Sequence, residues 1–474
     1  MLRSCIKSTR RYKSITSFSY IDDDFLSTVN KKEISCHLQN LGPFPSYSNI
    51  LNPQHFYQNQ ILLDYLQRDP HPVSLRQLAG YGKKLSKQKI LDSANFVRIE
   101  LPIRLALRIR DLQTLPFGIV NNFHLAHIYE SYYHLFNAFR KIPSIRSLEE
   151  NDKFCIIISK LLDDHLTNLA HLMMGSLEVS LLTDINQSEL DTFMSQMLRS
   201  RMSRRLIVEE HLSLTQSYKD SPNSVKPPHY IGEIFHNCKA IDQLKIVSEA
   251  VKNSMVDIFP NKDNMPELEI DGDTKTTFQF IEPHLHYLFG EILRNSYEAT
   301  IMTHGLHTSK KLPPVKVTII DSKRQVIFRI SDRGGGMPHD KLKSIWSFRK
   351  RPELARESLA NFHRIPGLSP YTGNEVSPGG SSMVGSVPAT SQILKNTSLG
   401  DSHFVGQSKK STLDQLFNRP YKYKLGLGLP VCKVYTDYWN GDLQMNSLEG
   451  YGSDTCLTLS KLGYHSNVVQ LDRA

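Results

Sequence analysis

Glu291-Ile292-Leu293-Arg294-Asn295 places a carboxylate and an amide four residues apart in a helix-like run from about Pro283 to Thr303. Residues at i and i+4 share a helix face. An Asn side chain is a neutral oxygen ligand for Mg²⁺, which keeps several waters and bridges phosphates. A Glu one turn earlier can take a proton from a hydroxyl or position a nucleophile. Taken alone, the pair reads more readily as a surface acid and its polar neighbour. The segments that follow change the balance.

Asp332-Arg333-Gly334-Gly335-Gly336-Met337-Pro338 comes directly after a strand-like run, Gln325 to Ser331. An Asp ending a strand can accept a hydrogen bond from an adenine amino group. Glycines let the backbone approach a ligand with no Cβ in the way. The competing reading is an ordinary tight turn. Gly426-Leu427-Gly428-Leu429-Pro430 opens a further helix, where backbone N–H groups and a helix N-terminus can face phosphates. A flexible loop is the alternative there. Gly450-Tyr451-Gly452-Ser453-Asp454 leads into the last strand. In this order the segments describe a nucleotide site holding Mg-ATP against a helix face, and hence phosphoryl transfer.

The elements that must position these residues fall into two textures. From Ser74 to about Leu214 the pattern is helical. Asn95 to Leu112 carries Phe96, Ile99, Ile103, Leu105, Leu107 and Ile109 among four arginines, and Leu125 to Lys141, Asp152 to Leu182 and Leu190 to Leu214 follow. Four long amphipathic helices in succession predict a bundle. Ser217 to Pro228 reads as a linker. Beyond it, Asp242 to Phe259 reads as a helix and Glu267 to Ile270 as a short strand. Val315 to Asp321 and Gln325 to Ser331 read as a hairpin turned by Ser322-Lys323-Arg324. A helix from Gly428 to Trp439 and strands Asp442 to Leu448 and Asp454 to Leu462 complete a mixed sheet with helices on one face. Leu285, Leu288, Ile292 and Ala299 form the stripe of the Pro283–Thr303 helix that packs on that sheet, leaving its polar face to a ligand.

The chain has 474 residues, 39% hydrophobic and 22% charged, enough for two or three folded domains. No apolar run reaches the length of a spanning helix. Residues 1–20 hold Arg3, Lys7, Arg10, Arg11 and Lys13 with no acid, half of the net charge of +10. With its Ser and Thr content, that stretch reads as a mitochondrial transit peptide, or else as a basic tail. The remaining positive excess is weak evidence for a nucleic-acid partner and reads more readily as a solvated surface, so none is expected. Six scattered cysteines without C-x-x-C spacing suggest neither a disulfide framework nor a zinc site. Residues 21–68 read as an irregular lead-in. Residues 352–420, rich in Ser, Gly and Pro with little periodicity, read as a partly disordered lid insertion between the two glycine clusters.

The order of Glu-x-x-x-Asn helix, Asp-x-Gly-x-Gly turn, glycine-rich lid end and Gly-Ser-Asp strand start resembles the GHKL, or Bergerat-fold, ATPases. Ser93-Ala94-Asn95-Phe96 through Glu100-Leu101-Pro102-Ile103-Arg104-Leu105-Ala106 is similar to the first bundle helix of the mitochondrial protein kinases. These are the pyruvate and branched-chain α-ketoacid dehydrogenase kinases. Ser200-Arg201-Met202-Ser203-Arg204-Arg205 with His211, Tyr230-Ile231-Gly232-Glu233-Ile234 and Asn440-Gly441-Asp442-Leu443-Gln444 carry the same likeness, which runs from about Ser74 to Leu462.

The resemblance implies an α+β fold: an N-terminal four-helix bundle regulatory domain (69–240) followed by a GHKL (Bergerat) α/β sandwich ATP-binding domain (241–465), with a tail at 466–474. It implies a serine kinase of the mitochondrial matrix that uses ATP and Mg²⁺. Its partners would be the decarboxylase component of pyruvate dehydrogenase, which it switches off, the lipoyl domain of the acyltransferase core, and a second copy of the chain. By matching positions, Glu291 is the general base and Asn295 the Mg²⁺ ligand. Asp332 reads adenine, and Ser453 lines its pocket. Gly334, Gly336, Gly426 and Gly428 cradle the nucleotide, with Arg294, Glu298, Met337, Leu425, Leu427 and Leu429 around it. His165, Ser200, Arg201 and Arg205 fall on an effector pocket for small carboxylates; a satisfied core histidine beside surface arginines is the equal alternative.

The chain also departs from the family pattern. Tyr287 stands one turn before Glu291, where pyruvate-type members place His and branched-chain members do not. His284 or His286 would have to complete any His–Glu dyad. Glu298 replaces an Arg, Lys424 the first glycine of the lid motif, and Leu162 and Asp164 pocket arginines. The alternatives are therefore a branched-chain α-ketoacid dehydrogenase kinase and a catalytically weak scaffold bound to the acyltransferase core.

Overall fold

A computed structural model describes residues 53–462 apart from 366–411 and short gaps at 72–73, 117–118, 120–121, 183–184, 223, 227–229, 257–258, 260–264 and 306–310. The transit-peptide segment, most of the lead-in and the centre of the lid insertion lie outside the described residues.

Helices come first: α1 (Pro53–Leu66), α2 (Leu75–Gly82), α3 (Lys87–Thr114), α4 (Phe123–Arg140), α5 (Leu148–Asp164), α6 (Asn168–Leu182) and α7 (Gln187–Asp220). Four of these helices, α3, α4, α5 and α7, have starts capped by side chains. Ser86, Asn122, Ser147 and Asn186 each accept a backbone N–H of the first turn that would otherwise lack a partner. Helix α3 packs on α4, α5 and α7, and α4 packs on α6. Tyr129, Phe136, Phe154, Met173, Met194 and Leu198 fill the space between them.

Two expectations are corrected here. Helix α1 stands where the sequence reads as an irregular lead-in; Leu62 is buried and Tyr65 meets Phe136 edge-on at 5.0 Å. The predicted helix from Asp152 to Leu182 is two helices, broken by a turn at His165–Thr167. That turn is tied by Asn168 Nδ2, which donates to Ser131 Oγ (3.0 Å) and His165 Nδ1 (2.9 Å). Such local side-chain bonds compete with helix continuation.

The second half alternates. It runs β1 (His236–Lys239), α8 (Ala240–Ser254), β2 (Leu268–Gly272), β3 (Thr277–Phe280), α9 (Glu282–His304), β4 (Val315–Asp321), β5 (Gln325–Ser331) and α10 (His339–Ser344). Then come α11 (Pro352–Arg364), α12 (Thr412–Phe417), α13 (Gly428–Tyr438), β6 (Asp442–Leu448) and β7 (Gly452–Ser460). Five strands form one sheet in the order β2-β4-β5-β7-β6, parallel only between β2 and β4. That parallel pair needs a crossover, which β3 and α9 supply. Val315, Val317 and Ile319 of β4 and Val326, Phe328 and Ile330 of β5 point to the buried face; Lys316 and Arg329 point away. Helices α8, α9 and α13 cover the buried face, where Phe289 meets Phe328 edge-on at 4.8 Å. Burying each such side chain stabilises by about 1.5–3 kcal/mol, which sets the register of α9 on the sheet.

The four-residue pair β1–β3 is absent from the sequence reading. Helix α11 is a further correction: Ala355, Leu359 and Phe362 bury one face against α6, with Pro352 opening the first turn. No helix among the described residues is long and apolar enough to cross a membrane.

Candidate functional site

Helix α9 carries the site. Leu285, Leu288 and Ile292 anchor it to the sheet, and the stripe through Glu291, Asn295 and Ala299 turns toward the glycine segments. Glu291 is 3% exposed rather than free on a polar face. Arg419 binds both its oxygens, Nη1 to Oε1 at 2.5 Å and Nη2 to Oε2 at 3.0 Å. The guanidinium outweighs the burial and holds the carboxyl below its ordinary pKa. Beside the pair, a Cβ on Gly428 would overlap Glu291 Oε2. Arg294 reaches across to the main chain of the segment that carries Arg419, a strap at residues 412–424, donating to the carbonyls of Arg419 (3.1 Å) and Phe417 (2.8 Å).

One turn on, Asn295 is half-buried, and its amide makes no hydrogen bond among the described residues. Glu298 pairs with Lys424, the lysine standing at the first lid glycine. Here an acid where the resemblance expects Arg and a lysine where it expects Gly form one ion pair.

The other glycine turn meets the far end of the stripe. Gly334 lies against Ala299, so tightly that only glycine fits. Asp332 is 9% exposed; its Oδ1 accepts Gly334 N–H (2.9 Å) and Ser453 N–H (3.2 Å), and Ser296 of α9 also bonds it. Burial raises its carboxyl above the usual range. Met337 N–H donates to Ser447 Oγ, which is 3.0 Å from Ser453 Oγ. Gly335, Gly336 and Gly426 adopt φ of 76°, 65° and 65°, the left-handed region that glycine takes without strain. Leu425 and Leu427 are buried, whereas Gly428 and Leu429 are partly open at the start of α13. Glu291 and Ala299 are eight residues apart, roughly 12 Å along the axis at 1.5 Å per residue. The two glycine turns therefore sit at opposite ends of one helix stripe.

Among the described residues no histidine pairs with Glu291. Tyr287 is fully buried one turn before Glu291. His284 instead accepts from Trp439 Nε1 at 3.2 Å, and His286 bonds Gln243 at 2.5 Å. Two residues that the sequence reading missed belong to the site: Arg419, and Lys350, whose Cε lies 4.0 Å from where a Cβ on Gly426 would be. Burial pushes the Lys350 amine down to about 8 against the opposing charge of Asp191, and Nζ makes no hydrogen bond or ion pair among the described residues.

The residues His165, Arg201 and Arg205 line a recess among α3, α4, α5 and α7, together with Tyr132, Asn168 and Arg204. Leu162 also lines it. Ser200 is buried beside it, and its Oγ has no partner among the described residues. His165 stacks parallel to Tyr132 and is held neutral, pushed down to about 3 by burial and by Arg204. Arg204 bonds the Tyr132 hydroxyl (2.8 Å), and Arg205 pairs with Glu209. Arg201 has no ionic or hydrogen-bond partner among the described residues. The satisfied-histidine reading thus fits His165, whereas Arg201 is buried rather than a surface residue.

Comparison with known proteins gives the class of this mixed helix-and-sheet chain, that of the kinases. Residues 72–235 match the family model described as mitochondrial branched-chain alpha-ketoacid dehydrogenase kinase. The chain is 41% identical to pyruvate dehydrogenase (acetyl-transferring) kinase 2, mitochondrial, of Saccharomyces cerevisiae, over 99% of each chain. It is 26% identical to the mitochondrial pyruvate dehydrogenase (acetyl-transferring) kinase of Arabidopsis thaliana, covering 82% of this chain and 90% of that one. For isozyme 4 of Homo sapiens the identity is 23%, over 84% and 83%. The chain belongs to the family of mitochondrial pyruvate dehydrogenase and branched-chain α-ketoacid dehydrogenase kinases. It is an enzyme, a kinase, and ATP is the phosphoryl donor that this class uses.

Proposed function

We propose that the chain is a serine kinase of the mitochondrial matrix that phosphorylates and inactivates the decarboxylase component of pyruvate dehydrogenase with Mg-ATP. The observation that carries this reading is the α9 stripe, with Glu291 and Asn295 between two glycine turns. In the reaction, Glu291 accepts the serine hydroxyl proton as the serine oxygen attacks the γ-phosphorus and the bond to the ADP oxygen breaks. Asp332 receives the adenine amino group, Ser453 lines that end, and the turns at 334–336 and 426–428 border the phosphates. Positioning and charge neutralisation supply most of the rate gain.

Mg²⁺ fits the donor set. Among the described residues no group of three or more His, Cys, Asp or Glu could hold a metal, whereas Asn295 offers one unused amide oxygen. That suits a cation coordinated chiefly by phosphates and water. When bound, Mg²⁺ would neutralise phosphate charge.

The same reading includes a four-helix bundle of α3, α4, α5–α6 and α7, and a GHKL (Bergerat) sandwich of the five-stranded sheet with α8, α9 and α13. It includes docking on the lipoyl domain of the acyltransferase core, homodimerisation, and an anionic effector at Arg201. The branched-chain complex is the second reading, favoured by Tyr287 and by the family model matched over 72–235. Incubation with magnesium, labelled ATP and each intact dehydrogenase complex tests both. We expect label on the pyruvate dehydrogenase decarboxylase component with loss of its activity. Label confined to the branched-chain complex would replace the first reading with the second, and label on neither would leave the scaffold.

A further inference from the structure

We propose that Arg419 is a positioning residue of the transfer reaction: it grips both oxygens of Glu291 and fixes the carboxylate in the orientation from which it takes the serine proton. This rests on the reading of Glu291 as the base. Both partners are buried, 6% and 3% exposed, and the grip is bidentate. Two parallel N–H···O bonds define the carboxylate plane, which a single point charge does not.

Arg419 is itself held. Nη1 also donates to Leu416 O at 2.6 Å, and its own carbonyl accepts from Arg294. Two residues earlier, the Phe417 ring lies over Gly290, where any Cβ would overlap it. Helix α12 seats Leu413 and Leu416 in the core. The segment that carries the guanidinium is therefore fastened to α9 by Arg294 and Phe417, apart from the grip on Glu291. Arg419 Nε has no partner among the described residues, so its pose serves the carboxylate rather than its own hydrogen bonding. Each carboxylate oxygen has two lone-pair sites, and Arg419 uses one on each. One lone-pair site on each oxygen is left to accept a hydroxyl proton.

The titratable and charged groups that face Glu291 are few. Tyr287 and Arg294 belong to its own helix, Cys432 to α13, and Arg419 to the strap. Burial and Glu291 push Tyr287 and Cys432 well above their ordinary values, so both stay neutral. Arg419 is the larger counter-charge and Arg294 the smaller.

The test is the pH profile of kcat/KM for wild type, Arg419→Ala and Arg419→Lys, with Glu291→Gln as the control. Without Arg419, only the smaller counter-charge of Arg294 opposes the effect of burial on Glu291. The acid limb of the profile should move up by roughly one pH unit or more in Arg419→Ala, and by less in Arg419→Lys, which keeps the charge but loses the fork. A residue that merely braces the fold would lower the rate and leave the limb in place. If Arg419→Ala does not fold, the Arg419→Lys profile decides. A wild-type limb in the folded variants, with Glu291→Gln inactive, overturns the positioning role alone. An active Glu291→Gln overturns the base reading instead.

Discussion

Gly428 and Glu291 occupy one another's space: any side chain at 428 would overlap the Oε2 of the carboxylate. The φ of Gly428 is not in the left-handed region, so the demand for glycine comes from contact and not from backbone freedom. Gly428→Ala should therefore displace the carboxylate while the helix start survives. A misplacement of about 1 Å costs on the order of 10²-fold in rate. Steady-state kcat of Gly428→Ala checks this, and a rate within a few-fold of wild type would show that the carboxylate position does not matter.

Asn295 is half-buried and makes no side-chain hydrogen bond among the described residues, so the fold loses little with it. Asn295→Ala should leave the thermal midpoint nearly unchanged. Affinity for Mg-ATP should fall on the order of tenfold or more, with metal-free ADP binding much less affected. Titration calorimetry with and without magnesium measures both. Equal Mg-ATP affinity in the two proteins would remove Asn295 from metal binding.

Lys350 holds a cation near Gly426, with Asp191 acting on it electrostatically but no hydrogen bond or ion pair to its amine among the described residues. Lys350→Met should raise the KM for ATP by roughly tenfold, the size of one charge-assisted hydrogen bond. The amine titrates near 8, and the charged form exists below that value. In the wild type, KM for ATP should thus climb as pH rises through 8, and in Lys350→Met it should stay flat. Matching pH profiles in the two proteins would show that the amine faces no phosphate.

Four histidines are held neutral by burial: His127 and His211 are pushed down to about 4, His165 and His284 to about 3. In the unfolded chain each takes up a proton near 6.5. Between these values the unfolded state binds more protons, so stability falls as pH drops below 6.5 and levels out only near 3 to 4. Each group contributes at most about 1.4 kcal/mol per pH unit. Denaturant unfolding at pH 7.5 and pH 5.5 should show a clear loss at the lower value, smaller in His127→Gln. Equal stability at the two pH values would contradict buried, neutral imidazoles.

Where one period governed a whole segment, the sequence was legible. Strands β4 and β5 stand at the expected residues because Val315, Val317 and Ile319, and then Val326, Phe328 and Ile330, alternate around a polar turn. Helix α9 begins within a residue of its expected start because Pro283 marks the first turn. The β1–β3 pair escaped notice because four residues carry too little period to register. Helix α11 was hidden by the Ser- and Gly-rich residues after it. Arg419 was invisible for a different reason: its partner lies 128 residues away, and no local spacing encodes that meeting. The exchange of charge between Glu298 and Lys424 was seen as two separate departures from a pattern, and only the fold joins them.

Arg294 grips the strap through the main-chain carbonyls of Phe417 and Arg419. The far end is held the same way, by Asn361 Nδ2 on the carbonyl of Lys424 at 2.8 Å. Fasteners of that kind ignore sequence but demand a set backbone path. They cannot let go one residue at a time. Residues 412–424 should consequently lift as one cooperative unit, with their amides trading hydrogen for deuterium together.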